Sequence, residues 1–198
     1  SSVTILDGLR ERLGDKLIHV GGTDREAAVA AARSADAAVV VVGLSSVDEG
    51  ESLIGVDTAS TQLLGGIARF RPFAAALVKV AARVSTLRNF GGDRRDLRLH
   101  AADVALIEAV AAVNARTVVV VIGGGTIVLD PWDHQVAAVL LALYPGMEGG
   151  HAVADVLLGD AEPAGRLPMA IPRRQTDLPQ LDWDADTVTY GRWWGQRK

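Results

Sequence analysis

The sequence contains no cysteine and few aromatic residues, which make up 5% of its 198 residues. Without cysteine, disulfide bonds and thiolate metal sites are excluded, and the chain is compatible with either redox compartment. The four histidines are scattered and lack the paired spacing of a metal site. We therefore expect no metal, and nothing in the sequence indicates a cofactor.

Long apolar runs and clustered positive charges are missing as well. No apolar run reaches the roughly 18 to 20 residues that cross a bilayer, so we expect no membrane segment. The net charge is −4 and there is no basic block, which makes nucleic acid an unexpected partner because phosphate binding needs clustered Lys and Arg. The chain begins with Ser1 instead of Met, which suggests a processed or excised piece, and its cellular location stays open.

Hydrophobic residues make up 49% of the chain and charged residues 22%, values typical of a folded globular protein. We expect residues 1–198 to form a single domain. Within it, stretches of strand character alternate with stretches of helical character. The helices are predicted at 5–13, 25–34, 103–114 and 150–158, and the strands at 16–20, 37–42, 117–122, 136–143 and 167–171.

Alternating strands and helices imply βαβ units, and hence an α/β fold with a mostly parallel sheet in a three-layer α/β/α sandwich. The unbroken apolar runs at 37–42 and 117–122 predict strands that are covered on both faces. Residues 52–90 form a connection far longer than the usual ~4 to 6 residues. We interpret them as a long insertion, either a functional flap or a disordered segment.

In parallel sheets, ligands lie beyond the carboxyl ends of the strands. Three loops leave such ends here, namely 43–51, 123–126 and 144–150. The first loop carries Asp48, Glu49 and Glu51. Carboxylates this close hinder one another's ionisation, which suits a general acid, although an ordinary acidic surface loop is the open alternative. The third loop adds Glu148 as a candidate substrate-binding residue.

Glycine and tryptophan provide further candidate features. The glycine run 123–125 lacks the rest of a phosphate-loop motif, so a close approach of the backbone to a ligand or a neighbouring element is the better interpretation. The candidate platforms for stacking on the C–H face of a sugar are Trp132, Trp193 and Trp194. For Trp132, burial in the core is an equal alternative. Of the adjacent pair, one ring is expected to point inward.

Several short motifs are distributed over nearly the whole chain. They include Asp48-Glu49-Gly50-Glu51, Gly91-Gly92-Asp93-Arg94, Tyr144-Pro145-Gly146, Leu157-Leu158-Gly159-Asp160 and Tyr190-Gly191-Arg192. In this order they resemble the C-terminal α/β domain of glycoside hydrolase family 3, the β-glucosidase and β-xylosidase group. Gln196 stands where that family usually has Tyr.

The resemblance implies a retaining, exo-acting β-glycosidase whose substrate is a β-linked glucoside or oligosaccharide. Retention needs two carboxyl groups about 5 to 5.5 Å apart. In the family, an N-terminal (β/α)8 barrel carries the nucleophilic Asp, and the C-terminal domain supplies the general acid/base Glu. The sequence contains no barrel, so the resemblance implies that the barrel domain of the same protein is the partner and that this fragment alone is inactive.

The resemblance also assigns site residues. No Glu lies between Glu51 and Glu108. The acid/base role therefore falls to Glu49, with Glu51 as the second choice. We expect Asp93 and Arg94 to lie beside this Glu and to bind the substrate. Arg94 is expected to pair with a carboxylate of the active-site cleft and to hold that carboxylate in position.

Two alternative functions stay open. Arg88 and Asn89 stand where many members of the family have an acid, which supports a non-catalytic carbohydrate-binding or assembly domain with the same fold. A nucleotide-binding α/β domain is the third hypothesis. The missing phosphate-loop motif argues against it.

Overall fold

The computed structural model describes residues 2–45, 48–49, 94, 96–178, 182, 185–189 and 191. The chain divides into two compact units, one formed by Ser1–Gly43 with Leu97–Lys198 and the other by Leu44–Asp96. We call the first the sheet unit and the second the Leu44–Asp96 unit. All the helices and strands described below belong to the sheet unit.

Three parallel strands form the sheet, in the order β1 (Ala38–Gly43), β2 (Thr117–Ile122) and β3 (Ala138–Leu141). Val40 of β1 lies opposite Val119, and Val120 lies opposite Leu140 of β3. Because β2 is central, its residues 119–121 are at most 2% exposed. The predicted α/β fold with a parallel sheet is confirmed.

Four α-helices accompany the sheet in the described part of the chain: α1 (Ile5–Leu13), α2 (Arg25–Ser34), α3 (Ala101–Ala111) and α4 (Gly149–Leu158). Thr4 and Asp7 form a capping box at the start of α1. The Asp24 side chain accepts the Ala27 N–H at 3.0 Å and so begins α2. α4 ends at Gly159, whose φ of 84° is one that glycine adopts without strain.

The helices pack in pairs and on the sheet. α3 contacts β1 and β2, α2 contacts α3, and α1 contacts α4. In the last pair, two glycines bring the helix backbones together. A Cβ on Gly8 would lie 2.3 Å from the Gly150 carbonyl oxygen, and a Cβ on Gly150 would lie 2.1 Å from the Thr4 carbonyl oxygen. A side chain at either position would therefore separate α1 from α4.

Asn114 joins the end of α2 to the start of β2. Its Nδ2 donates to the carbonyl oxygens of Ala32 and Ala35 at 2.9 and 3.0 Å, and its Oδ1 accepts the Arg116 N–H at 2.9 Å. The Thr117 hydroxyl donates to the Asn114 carbonyl oxygen at 2.6 Å. Asn114 is 8% exposed and Thr117 is fully buried, so these bonds satisfy polar groups inside the core.

Two of the predicted strands do not form. Residues 16–20 overlap a 3-10 turn at Gly14–Lys16, pair with no strand in the described part of the chain and leave Ile18 59% exposed. Residues 167–171 are irregular. A strand is stable only against a partner strand, which a local sequence pattern does not supply.

The prediction that β1 is covered on both faces is wrong. Val40 and Val42 are 6% exposed, whereas Val39 and Val41 are 40% and 47% exposed. β1 is an edge strand of the described sheet, and successive side chains of a strand point to opposite faces. One face of β1 is therefore buried and the other is open. The same prediction is confirmed for the central residues of β2.

Candidate functional site

A buried ion pair is the best-defined chemical feature among the described residues of the Leu44–Asp96 unit. Arg94 Nε donates to Glu49 Oε2 at 2.8 Å. Each of the two side chains is only 8% exposed. The carboxylate contact predicted for Arg94 is therefore present, and its partner is Glu49.

A hydrogen-bonded turn positions Glu49. The Glu49 N–H donates to the Ser45 carbonyl oxygen at 2.9 Å. Asp48 Oδ2 accepts the backbone N–H and the hydroxyl of Ser45 at 2.8 and 2.6 Å, which closes the turn. Asp48 and Glu49 are adjacent in sequence, yet one stabilises the turn and the other binds Arg94. Their spacing alone did not distinguish these roles.

The Glu49–Arg94 pair has two chemical consequences. Charged groups with so little exposure are stable only when they are paired with good geometry. A charge-assisted hydrogen bond from Nε also fixes the direction of the carboxylate. A carboxylate that exchanges protons with a substrate needs such a fixed orientation. A purely structural ion pair has the same geometry.

The remaining predicted site residues are placed as follows. Glu51, Asp93, Trp193 and Trp194 lie outside the described residues. Trp132 belongs to the sheet unit and is 1% exposed. Its burial favours the core interpretation over sugar stacking, because a stacking ring must present a face to the ligand.

Glu148 belongs to a cluster that the sequence pattern did not reveal. Its carboxylate is 75% exposed and its Oε2 lies 2.8 Å from His151 Nδ1. Glu11 Oε2, on α1, lies 3.0 Å from His151 Nε2. The hydrogen bonds with Glu148 and then with Glu11 raise the pKa of His151. Glu11 and His151 are 140 residues apart, so only the i, i+3 spacing of Glu148 and His151 was visible in the sequence.

A cavity of about 160 Å³ lies in the sheet unit at the carboxyl ends of β2 and β3, where parallel sheets bind ligands. Its walls are mainly apolar and include Gly123, Gly125, Leu141, residues 165–169 and Ile171. Gly124 lies against Tyr144 instead, and a Cβ there would be 2.9 Å from the Tyr144 ring. The glycine run therefore lets the backbone approach a neighbouring element closely. The sequence predicted a close approach either to such an element or to a ligand.

Two negative findings apply to the described residues alone. They contain no group of His, Asp and Glu side chains arranged to hold a metal ion. Their helices are too short or too polar to cross a membrane.

Comparison with known protein families shows to which family the chain belongs. The sequence profile described as the glycosyl hydrolase family 3 C-terminal domain matches residues 1–194. The chain belongs to this family. The resemblance found in the short motifs is thereby confirmed, and the family match extends over both units.

Members of family 3 align with most of this chain. A probable β-glucosidase L of Aspergillus terreus is 34% identical over 180 residues, which are 88% of this chain and 20% of that protein. A β-xylosidase of Formosa agariphila is 28% identical over 187 residues, which are 89% of this chain and 20% of that protein. The crystal structure of the β-D-glucoside glucohydrolase of Trichoderma reesei superposes with a TM-score of 0.67 at 26% identity, covering 93% of this chain and 22% of that one. The chain thus spans about a fifth of the length of these relatives.

Proposed function

We propose that this family 3 domain is part of a retaining, exo-acting β-glycosidase that hydrolyses terminal β-linked sugars, and that it supplies the general acid/base. The family membership supports the reaction class. The relatives named as a β-glucosidase and a β-xylosidase make a glucoside or a xyloside the first substrates to test. The single observation that supports the acid/base role is the buried, oriented carboxylate of Glu49.

The proposed reaction has two steps. First, an Asp of the (β/α)8 barrel of the same protein attacks the anomeric carbon while the acid of this domain protonates the departing glycosidic oxygen. The same residue, now a carboxylate, then takes a proton from the water that hydrolyses the glycosyl-enzyme. We assign this residue to Glu49, with Glu51 as the second choice. Arg94 is a positioning residue that holds the carboxylate of Glu49.

This assignment makes the 198-residue chain inactive by itself, because one carboxylate cannot perform both steps. A competing hypothesis is a non-catalytic carbohydrate-binding or assembly domain. The low exposure of Glu49 supports that alternative, because a structural ion pair needs no access to substrate.

Glu49→Gln and Glu51→Gln, made separately in the natural protein that joins this domain to its barrel, test the assignment. Removal of the acid/base should lower kcat/KM by about 10²- to 10⁴-fold for aryl β-glucosides with poor leaving groups. The loss should be much smaller for dinitrophenyl glucosides, which depart without protonation. Added azide should restore turnover of the dinitrophenyl substrate and yield a glycosyl azide, since azide needs no general base.

Glu26→Gln is the matched control, because Glu26 is an exposed acid on α2 of the same chain. Its kcat/KM should equal that of the wild type for every leaving group. If Glu49→Gln and Glu51→Gln both behave like Glu26→Gln, the acid/base assignment is wrong and the non-catalytic hypothesis gains. If the wild-type protein cleaves no β-glycoside, the proposed activity itself is wrong.

A further inference from the structure

His151 is placed between two carboxylates that come from different elements of the sheet unit. Glu148 precedes α4, and its Oε2 is 2.8 Å from the Nδ1 of His151. Glu11 lies on α1, and its Oε2 is 3.0 Å from the Nε2 of the same ring. The imidazole therefore connects the turn before α4 to the neighbouring helix.

The protonation state of His151 follows from this geometry. A neutral imidazole has one N–H donor and one acceptor nitrogen, whereas a carboxylate only accepts. A neutral ring would therefore place its acceptor nitrogen against a carboxylate oxygen. The imidazolium donates from both nitrogens and satisfies both contacts.

Further hydrogen bonds and ion pairs involve α1, α4 and the residues that flank these helices. The Val3 N–H donates to the Met147 carbonyl oxygen at 2.8 Å, and the Gly150 N–H donates to the Val3 carbonyl oxygen at 3.1 Å. The further charged groups near the cluster are Arg12, which binds Asp155 and Asp160, and Asp7, which faces Arg10 at 3.8 Å. The hydrogen bonds with Asp160 and then with Asp155 raise the pKa of Arg12. The ion pairs of Arg12 therefore stay charged when His151 loses its proton.

The turn 144–150 contains Glu148, one of the three residues of the cluster. It follows β3 at the carboxyl edge of the sheet and places Tyr144 against Gly124. We propose that Glu11, His151 and Glu148 form a pH-operated clasp that ties this turn to α1 while the imidazole is protonated and loosens it as the pH rises.

The direction of the pH effect follows from linkage. The hydrogen bonds with Glu148 and then with Glu11, together with the negative charges of both carboxylates, raise the pKa of His151. A group whose pKa is raised in the folded state contributes its full stabilisation below the unfolded pKa of about 6.5. That contribution disappears as the pH rises through the higher folded-state pKa. The clasp is therefore closed in mildly acidic solution and open in mildly alkaline solution.

An NMR titration of the imidazole ring protons of the 198-residue chain tests the proposal, with His151→Gln used to assign the signal. The midpoint for His151 should lie above about 6.5. Glu148→Gln and Glu11→Gln should each lower it. A midpoint at or below that value in the wild-type chain would overturn the proposal.

Amide exchange measures whether the clasp holds the turn. At about pH 6, the Val3 and Gly150 N–H groups should exchange several-fold faster in His151→Gln than in the wild type, and at about pH 8.5 the two proteins should agree. His134→Gln is the matched control, because His134 is 69% exposed and, among the residues that the structure describes, pairs with one acid, Asp133, at 3.7 Å. If the two proteins exchange equally at the lower pH, or if His134→Gln has the same effect, the clasp does not exist.

Discussion

Arg94 presents a directional N–H to Glu49 where both side chains are almost fully buried. Lysine would bring a compact and strongly hydrated charge without the planar donor group of arginine. The contact therefore depends on the guanidinium group and not on positive charge alone. This requirement links the stability of the Leu44–Asp96 unit to the orientation of the proposed acid.

Substitution of Arg94 separates charge from geometry. We expect Arg94→Met to lower the free energy of unfolding by about 3 to 5 kcal/mol, because it removes the guanidinium from a buried carboxylate. Arg94→Lys should lower it by less, since a charge remains. Denaturant unfolding of the chain gives the values, and the double variant with Glu49→Gln should recover part of the loss. Equal stability of Arg94→Met and the wild type would contradict the expectation.

At the scale of single residues, the sequence indicates contacts that are local or that a family motif marks, and it does not indicate other long-range contacts. Asp24 caps α2 through the N–H of Ala27, only three residues away, so this contact depends on local sequence alone. The role of Arg94 in holding a carboxylate came from the family resemblance, and the contact with Glu49 across 45 residues is present. The contact of His151 with Glu11 was not predicted from the sequence, because Glu11 lies 140 residues away and no motif joins the two residues.

At the scale of elements, helices were easier to predict than strands. α1 and α2 have local signals, an apolar periodicity and a polar cap, which are sufficient to define them. The run 16–20 has strand composition, yet a strand also needs a neighbour to complete its hydrogen bonds. The open face of β1 shows the same limit, since an apolar run does not tell which neighbours will cover it.

Asn114 tests how strongly one buried side chain connects two elements. Asn114→Ala removes two donated bonds and one accepted bond and leaves the carbonyl oxygens of Ala32 and Ala35 without this donor. We expect a loss of about 2 to 4 kcal/mol in the free energy of unfolding, because buried polar groups that lose their partners are costly.

Two further variants define the source of that loss. Asn114→Asp keeps the acceptor for the Arg116 N–H but has no amide donor, so it should also be strongly destabilised. Gln135→Ala, which loses an exposed side-chain bond of 3.3 Å to the Pro131 carbonyl oxygen, should change stability by less than about 0.5 kcal/mol. If Asn114→Ala and Gln135→Ala were equally stable, the connection between α2 and β2 would not depend on Asn114.

At the scale of the whole sheet unit, α1 and α4 are joined by three kinds of contact. Their backbones meet at Gly8 and Gly150, Arg12 bridges to α4 and its C-terminal side, and His151 bridges back to Glu11. The backbone contact sets the distance between the helices, and the two ionic contacts depend on that distance. The glycines are therefore the positions at which a small change should affect every other contact of the pair.

Gly8→Ala provides this test, because two effects of opposite sign compete. Alanine favours a helix over glycine by up to about 1 kcal/mol. The new Cβ would lie 2.3 Å from the Gly150 carbonyl oxygen, which is backbone and cannot rotate away. Overpacking of a tight contact costs about 1 to 3 kcal/mol or more, so we expect a net loss of stability. Gly21→Ala is the control, since a Cβ there meets no atom within 4 Å and should leave stability unchanged or slightly higher. Thermal unfolding of both variants, together with amide exchange at Gly150, measures the effect. A more stable Gly8→Ala with unchanged exchange would mean that α1 and α4 do not pack through these glycines.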